Sequence, residues 1–388
     1  MQWGIYIHIP FCWQKCLYCD FASYAGREDD RAAYIEALEK EMRARVPLAL
    51  ERWGAPNTVY LGGGTPTALQ TEQMADLLDA LVEVLHGAPV EEWTVEANPG
   101  TVDLSYLSML HEKGVNRLSF GVQSFDDALL RRIGRIHTAK QAEQAVRFAK
   151  QAGFSNLSLD LMYGLPGQTL PMLQESVEQA LALAPTHISI YGLQVEEGTP
   201  FAALREQGRL HLPDDEAAEA MYDYMTETLP ARGYARYEIS NFAQPGFESR
   251  HNLSYWQNVP YLGLGAAAHS YLDGRRTENE ADLSRYIEDM RRGVSPAREE
   301  EPRTRSIAME EFAFLALRTA RGISRKAFLE TFGVALESVY AAPIAGMEQK
   351  GLLVSEGDRV HLTKQGAKFG NLVFEAFLLD ADEQGEKK

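Results

Sequence analysis

Six short apolar runs lie within the first 195 residues, at 4–9, 58–61, 93–97, 117–122, 157–162 and 187–191. Between them the apolar spacing predicts helices over 29–45, 71–86, 104–113, 126–133, 139–152 and 171–184. Strands that alternate with helices and lack hairpin turns lie parallel, because a parallel return needs a crossover of a dozen or more residues. A closed barrel of this kind takes eight units in roughly 250 residues. Six units predict an α/β fold built on a partial, open (β/α)6 barrel of TIM type. A doubly wound sheet has the same alternation and stays open at this point.

In a barrel, reactive groups collect at the carboxyl ends of the strands. Polar or glycine-rich residues recur there: cysteines after the first run, Gly62 to Thr65 after the second, Glu96 in the third, Gln123 and Ser124 after the fourth, Asp160 in the fifth, Gln194 after the sixth. One such residue is ordinarily a cap or a loop; six in succession at one rim are hard to explain as solvation. Glu96 and Asp160 sit inside apolar strands, where an unpaired charge is costly. They are either buried ion pairs or caps, or carboxylates placed for ribose hydroxyls or an ammonium group. The run Gly62-Gly63-Gly64-Thr65-Pro66 lets a ligand approach the backbone closely, or simply makes a tight turn. It lacks the Gly-Lys-Ser/Thr ending of a nucleotide loop.

The chain has 3 cysteines, and all of them fall in one stretch, Cys12, Cys16 and Cys19, spaced C-x3-C-x2-C. Three thiols cannot pair evenly into disulfides. A structural zinc site wants four ligands; Asp20 or His8 could supply one, but the usual second pair is missing. A four-iron cluster takes one cysteine per iron, so three cysteines leave one iron open for a substrate or cofactor.

This spacing, with Tyr18 just before the last cysteine, resembles the signature of the radical S-adenosylmethionine (SAM) superfamily. The run from Tyr6 to Cys12 is similar to its oxygen-independent coproporphyrinogen oxidase-like branch. That resemblance implies a [4Fe–4S] cluster on Cys12, Cys16 and Cys19 whose open iron chelates SAM. Reduction would then cleave the sulfonium and give a 5′-deoxyadenosyl radical. It also implies SAM contacts at Tyr6, Tyr18, Gly63, Gly64, Thr65, Glu96, Gln123, Arg135 and Asp160, with Arg135 neutralising the SAM carboxylate.

Beyond the barrel, the pattern predicts a helix over 214–231 and a strand over 234–240. The segment H-N-x-x-Y-W (His251, Asn252, Tyr255, Trp256) groups an imidazole with two large aromatics. Such a histidine is more often structural, but the mixture also suits heme, which needs an axial ligand and flat apolar walls. His269 is a second, weaker candidate. Residues 293–304 read as a linker, and 380–388 as a frayed end. Helices at 305–320, 324–331 and 336–350, followed by a hairpin over 351–363, resemble a winged helix. The expected organisation is therefore a radical SAM core barrel over 1–232, an extension carrying HNxxYW over 233–292, and a smaller α+β winged-helix-like domain over 305–378.

A formal net charge of -17 argues against nucleic acid or an anionic membrane as the main partner. No apolar run approaches the ~20 residues of a membrane span, and no basic leader precedes an apolar stretch. Few cysteines fit a reducing cytoplasm; a homodimer is compatible with this reading, as is at most peripheral membrane contact. Four segments now match the oxidase-like branch in order: the cysteine loop, GGGTPT, 160–169 and HNxxYW. True oxidases of that branch carry a further cysteine two residues after the third, where this chain has Phe21. Cys-Asp-Phe together with HNxxYW resembles the HemW-type heme chaperones instead. That resemblance implies binding of heme beside the cluster and delivery of heme to acceptor proteins; radical SAM oxidation of coproporphyrinogen is the alternative.

Overall fold

The structure is a computed structural model that describes residues 2–299 and 303–379. The chain divides into two compact units. The first comprises Met1–Ala235, Phe242–His251 and Pro260–Glu300, the second Arg236–Asn241, Asn252–Val259 and Glu301–Lys388. The extension expected over 233–292 is thus shared between them.

Six parallel strands form where the apolar runs predict them: β1 (Gly4–Ile9), β2 (Thr58–Gly63), β3 (Glu92–Ala97), β4 (Arg117–Gln123), β5 (Asn156–Tyr163) and β6 (His187–Gly192). They pair in sequence order. The crossovers are α1 (Arg31–Trp53), α2 (Thr71–Leu85), α3 (Leu104–Glu112), α4 (Asp127–Arg132), α5 (Ala139–Gln151) and α6 (Leu170–Ala182). After them come α7 (Pro200–Glu206), α8 (Asp215–Ala231), β7 (Ala235–Arg236), β8 (Asn241–Ala243) and α9 (Arg250–Trp256). Four further strands then extend the sheet on the β1 side: β9 (Tyr261–Leu264), β10 (His269–Leu272), β11 (Arg275–Asn279) and β12 (Ala297–Glu299), with α10 (Leu283–Arg291) between the last two. The order is β12-β11-β10-β9-β1-β2-β3-β4-β5-β6-β8-β7, so the barrel is partial and open. β9 lies parallel to β1, with Tyr6 opposite Gly263.

The core of the first unit lies between this sheet and its helices. Ile5, Ile7, Ile9, Val59, Leu61, Val95, Leu118, Phe120, Leu159 and Leu161 bury almost completely against apolar helix faces. Two expectations shift in detail. The first helix does not stop at 45 but continues through Pro47 to Trp53, because Val46 and Ala49 keep burying an apolar face beyond the lost hydrogen bond. The strand expected over 234–240 is broken: Glu238 accepts from the Ser240 N–H at 2.8 Å and turns the chain between β7 and β8. Among the described residues no helix is long and apolar enough to cross a membrane.

In the second unit, α11 (Arg305–Leu317), β13 (Ile323–Ser324), α12 (Arg325–Phe332), α13 (Glu337–Gln349), β14 (Leu353–Glu356) and β15 (Arg359–Leu362) follow the winged-helix pattern, with sheet order β13-β15-β14. Phe328, Tyr340, Val360 and Phe377 fill its own core. The linker expected over 293–304 falls partly on residues 300–302, outside the described residues, and so does the end expected to fray.

Candidate functional site

Side chains alternate along a strand, and the alternation here separates two chemistries. The helix-facing row is aliphatic, whereas the inward rows are polar. Register places Tyr6 beside Tyr60, Tyr60 beside Thr94 and Thr94 beside Arg117. The next row sets Glu96 beside Ser119, Ser119 beside Ser158 and Ser158 beside His187. Asp160 follows, between Gly121 and Ser189. A closed eight-stranded barrel fills its interior with branched aliphatic side chains; this one lines it with hydroxyls, imidazoles and carboxylates, a lining suited to a polar guest.

The groups in this lumen hold one another. Tyr60 donates its hydroxyl to Glu96 Oε1 at 2.6 Å. Burial pushes the Glu96 carboxyl up to about 7, with the negative charge of Asp160 adding to the rise. Asp160 accepts from Ser119 at 3.1 Å and from Ser158 at 3.2 Å, and burial raises its pKa as well. The buried Arg117 guanidinium opposes both shifts. Tyr6 donates to His8 Nδ1 at 3.0 Å, and His8 Nε2 donates to the Ala22 carbonyl at 2.8 Å, joining β1 to the cysteine loop. Burial keeps His8 below its usual pKa and therefore neutral.

The cysteine loop is knitted onto the glycine loop. Gly64 N–H donates to the Ile9 carbonyl at 2.9 Å and Thr65 N–H to the Phe11 carbonyl at 2.8 Å. Cys12 is buried with its Sγ 3.6 Å from Thr65 Oγ1, while Cys16 and Cys19 are partly exposed. A methyl group on Gly64 would stand 2.8 Å from the Phe11 carbonyl oxygen and 3.1 Å from Cys12 Sγ; one on Gly63, whose φ is +110°, would stand 2.5 Å from the His8 ring. Both positions therefore require glycine. On the other flank, Leu17 N–H donates to the Ile133 carbonyl at 3.1 Å, and Gln14 Nε2 donates to the Gly134 carbonyl at 3.1 Å. This places Arg135 over the loop, where Nη1 lies 3.5 Å from Cys16 Sγ and Nη2 donates to the Gly121 carbonyl. Its Nε is buried without a partner. Gln123 ends β4 at a register shift with φ 66°, a left-handed conformation that costs about 1–2 kcal/mol outside glycine. Tyr18 packs with Leu17 against Leu129, Ile133 and Phe201.

The residues expected at one site thus converge: Tyr6, Glu96 and Asp160 in the lumen, Gly63, Gly64, Thr65 and the three cysteines at its carboxyl-end rim, with Gln123 and Arg135 beside them. HNxxYW is placed differently. His251 is fully enclosed (0% exposed), with Nδ1 2.7 Å from Thr58 Oγ1 and its ring stacked 5.0 Å from that of Tyr60. Its backbone N–H donates to Glu92 Oε1 at 3.0 Å. Burial lowers the imidazole pKa to about 3, so the ring is neutral. Asn252, Tyr255 and Trp256 belong to the second unit, where Arg318 lies 4.6 Å over the Trp256 ring.

Residues 6–180 match the radical SAM superfamily, and residues 304–369 match the HemN C-terminal domain. The heme chaperone HemW of Bacillus subtilis is 44% identical over 376 residues, covering 96% of this chain and 98% of that protein. The heme chaperone HemW of Lactococcus lactis is 40% identical, covering 97% of each. The chain belongs to the HemW family of radical SAM proteins. A further HemW, that of Escherichia coli, is 35% identical over 97% of this chain. Among solved structures, coproporphyrinogen III oxidase (HemN) from Escherichia coli superposes with a TM-score of 0.83, covering 97% of this chain and 90% of that one at 22% identity. That likeness establishes the shared fold.

Membership of the radical SAM superfamily implies a [4Fe–4S] cluster and SAM, and the residues of this HemW-family chain fit both. Three free thiols share one loop, and an orphaned guanidinium nitrogen lies against it. Among the described residues no group of three or more His, Cys, Asp or Glu is placed to hold a single metal ion; a four-iron cluster asks for one thiolate at each of three separate irons. Sequence reading missed Tyr60, Arg117, Ser119, Ser158 and His187, and named His8 only as a possible zinc ligand. The signal was present as polar residues alternating with apolar ones, at 117 and 119 in β4, over 156–160 in β5 and over 187–191 in β6.

Proposed function

We propose that this chain binds heme, carries a [4Fe–4S] cluster and SAM, and passes heme to acceptor proteins. The observation that carries the reading is identity of up to 44% over nearly the full length of proteins named heme chaperones. Phe21 supports it, since it stands where the resembling oxidases place a further cysteine. Cys12, Cys16 and Cys19 would hold the cluster. A bound cluster supplies one-electron reduction of SAM. The chain's own residues would orient the guest: Arg135 would face the SAM carboxylate, Glu96 and Asp160 its cationic or hydroxyl groups, and the glycine loop its methionyl part. Tyr60 and the serines fix the carboxylates in place, and His8 ties the lumen to the cysteine loop.

Anaerobic reconstitution followed by hemin titration, with and without SAM, tests the reading. A Soret band that saturates near one heme per chain supports it; no spectral change on adding hemin overturns it. For HNxxYW to give heme its iron ligand, the fully enclosed His251 ring has to be uncovered at Nε2, while Nδ1 can keep its bond to Thr58. Hemin titration of His251→Ala decides this: loss of the heme spectrum assigns the imidazole, and an unchanged spectrum removes it from the site.

A further inference from the structure

The turn between β9 and β10 presents an exposed imidazole. Ala268 and Ser270 are buried, yet His269 between them is 53% exposed. Hydrogen bonds fix the turn. Gly265 N–H donates to Glu41 Oε2 at 2.8 Å, Ala266 N–H to Tyr34 Oη at 3.2 Å, and Asn279 Nδ2 to the Gly265 carbonyl at 2.8 Å. Ala267 N–H donates to the Glu280 carbonyl at 3.1 Å. Two glycines let the turn press onto the sheet: a methyl group on Gly263 would run into the His269 carbonyl, and one on Gly265 would stand 2.7 Å from the His8 carbonyl oxygen. Gly263 pairs with Tyr6 and shares its inward face, so the His269 backbone lies on the lumen side of β9. Its imidazole is near enough to that of His8 for a charge on it to oppose protonation there. A rigidly presented imidazole therefore stands at the lumen mouth, next to the residue that ties β1 to the cysteine loop.

Its surroundings suit an iron porphyrin. Register sets Glu278 opposite His269, with Oε1 4.0 Å from Nε2. That is too long for a hydrogen bond, and a small turn of the exposed ring closes it. A metal-bound imidazole usually gives its other N–H to a carboxylate, which fixes the ring and raises its basicity. One step down the strand, Tyr271 shares the face of His269 and pairs with Tyr261, so two half-buried rings extend that face as an apolar wall. We infer that His269 supplies the axial ligand to heme iron, with Glu278 accepting from its second ring nitrogen and the Tyr261–Tyr271 pair beside the macrocycle. The inference rests on the heme reading above. It moves the iron ligand from the enclosed His251 to an imidazole already open to solvent.

Hemin is titrated at one fixed pH into the reconstituted full chain and into His269→Ala, Glu278→Gln and, for reference, His86→Ala, which removes an exposed imidazole at the carboxyl end of α2. Optical and electron paramagnetic resonance spectra report the axial ligand. The wild type should show histidine-ligated heme. His269→Ala should lose that signature and bind hemin about tenfold more weakly, and added imidazole should restore the spectrum. Glu278→Gln should keep the ligand and raise the heme reduction potential, because a carboxylate partner makes the imidazole a stronger donor to ferric iron; an unchanged potential removes Glu278 from the site. His86→Ala should match the wild type. A wild-type spectrum without histidine ligation, an unchanged spectrum in His269→Ala, or the same loss in His86→Ala overturns the His269 assignment and leaves the heme reading standing. Absence of hemin binding by the wild type overturns both.

Discussion

Raising the pH from 6 to 8 should tighten SAM binding about tenfold through Glu96, and Glu96→Gln should abolish that gain. The half-buried carboxyl group lies beside Tyr60 and near Asp160, and desolvation pushes its pKa up to about 7. At such a pKa roughly a tenth of the group is ionised at pH 6 and roughly nine tenths at pH 8. SAM is cationic at its sulfonium, and the ionised carboxylate attracts it where the protonated one does not. If only the ionised form binds, the Kd falls with the ionised fraction, by about 1.4 kcal/mol over this range. Calorimetric titration of SAM into anaerobically reconstituted protein at pH 6, 7 and 8 measures it. The ligand's own ammonium titrates nearby, so the informative quantity is the difference in slope between wild type and Glu96→Gln. Equal slopes refute the reasoning. The ligand-free protein should respond in the opposite direction. A carboxyl whose folded pKa lies above its unfolded value keeps a proton that the unfolded chain releases, so its cost grows as pH rises from the usual 4.5 to about 7. That cost is about 3 kcal/mol at most, and Glu96→Gln should relieve it in thermal melts at pH 8 but not at pH 4.

Three other perturbations follow from named contacts. Glu41 is buried and accepts from Arg45 at 2.6 Å, Tyr286 at 2.7 Å, and Asn279 and the Gly265 N–H at 2.8 Å each; Glu41→Ala should cost about 3–5 kcal/mol. At roughly 2 °C per kcal/mol for a unit this large, calorimetry should find the first unit melting about 6–10 °C lower; a shift below 2 °C would show that the network is not strongly coupled. Gly64→Ala drives a methyl group against the Phe11 carbonyl and Cys12 Sγ, so iron content after reconstitution should drop several-fold while far-ultraviolet circular dichroism stays the same. Arg135→Gln removes a half-buried cation 3.5 Å from Cys16 Sγ. SAM affinity should fall at least tenfold with iron content retained, and wild-type affinity would remove Arg135 from the carboxylate role.

The parallel strands were legible because burial on the helix side imposes an aliphatic residue at every second position, and a run such as Ile5-Ile7-Ile9 has few other uses. The same alternation hid the lumen. A serine in a strand is unremarkable alone, and Ser119, Ser158 and His187 acquire meaning only when register sets them side by side. Glu96 and Asp160 stood out because a charge in an apolar strand needs a reason; Arg117, at the edge of its run, did not. Distance in sequence was the other barrier. β9 is a short glycine-broken run whose partner β1 precedes it by more than two hundred residues, and no local pattern identifies such a pair. Glu41 reads as an ordinary helix acid until Asn279 and Tyr286 fold onto it. His251 shows the limit from the other side: the motif announces an imidazole among aromatics, and only the fold reveals that the ring is packed on Tyr60 and bonded to Thr58. Motifs name residue types that chemistry can use, whereas burial and register decide which of them face a ligand, and here that decision brings Tyr60 and Arg117 into the site.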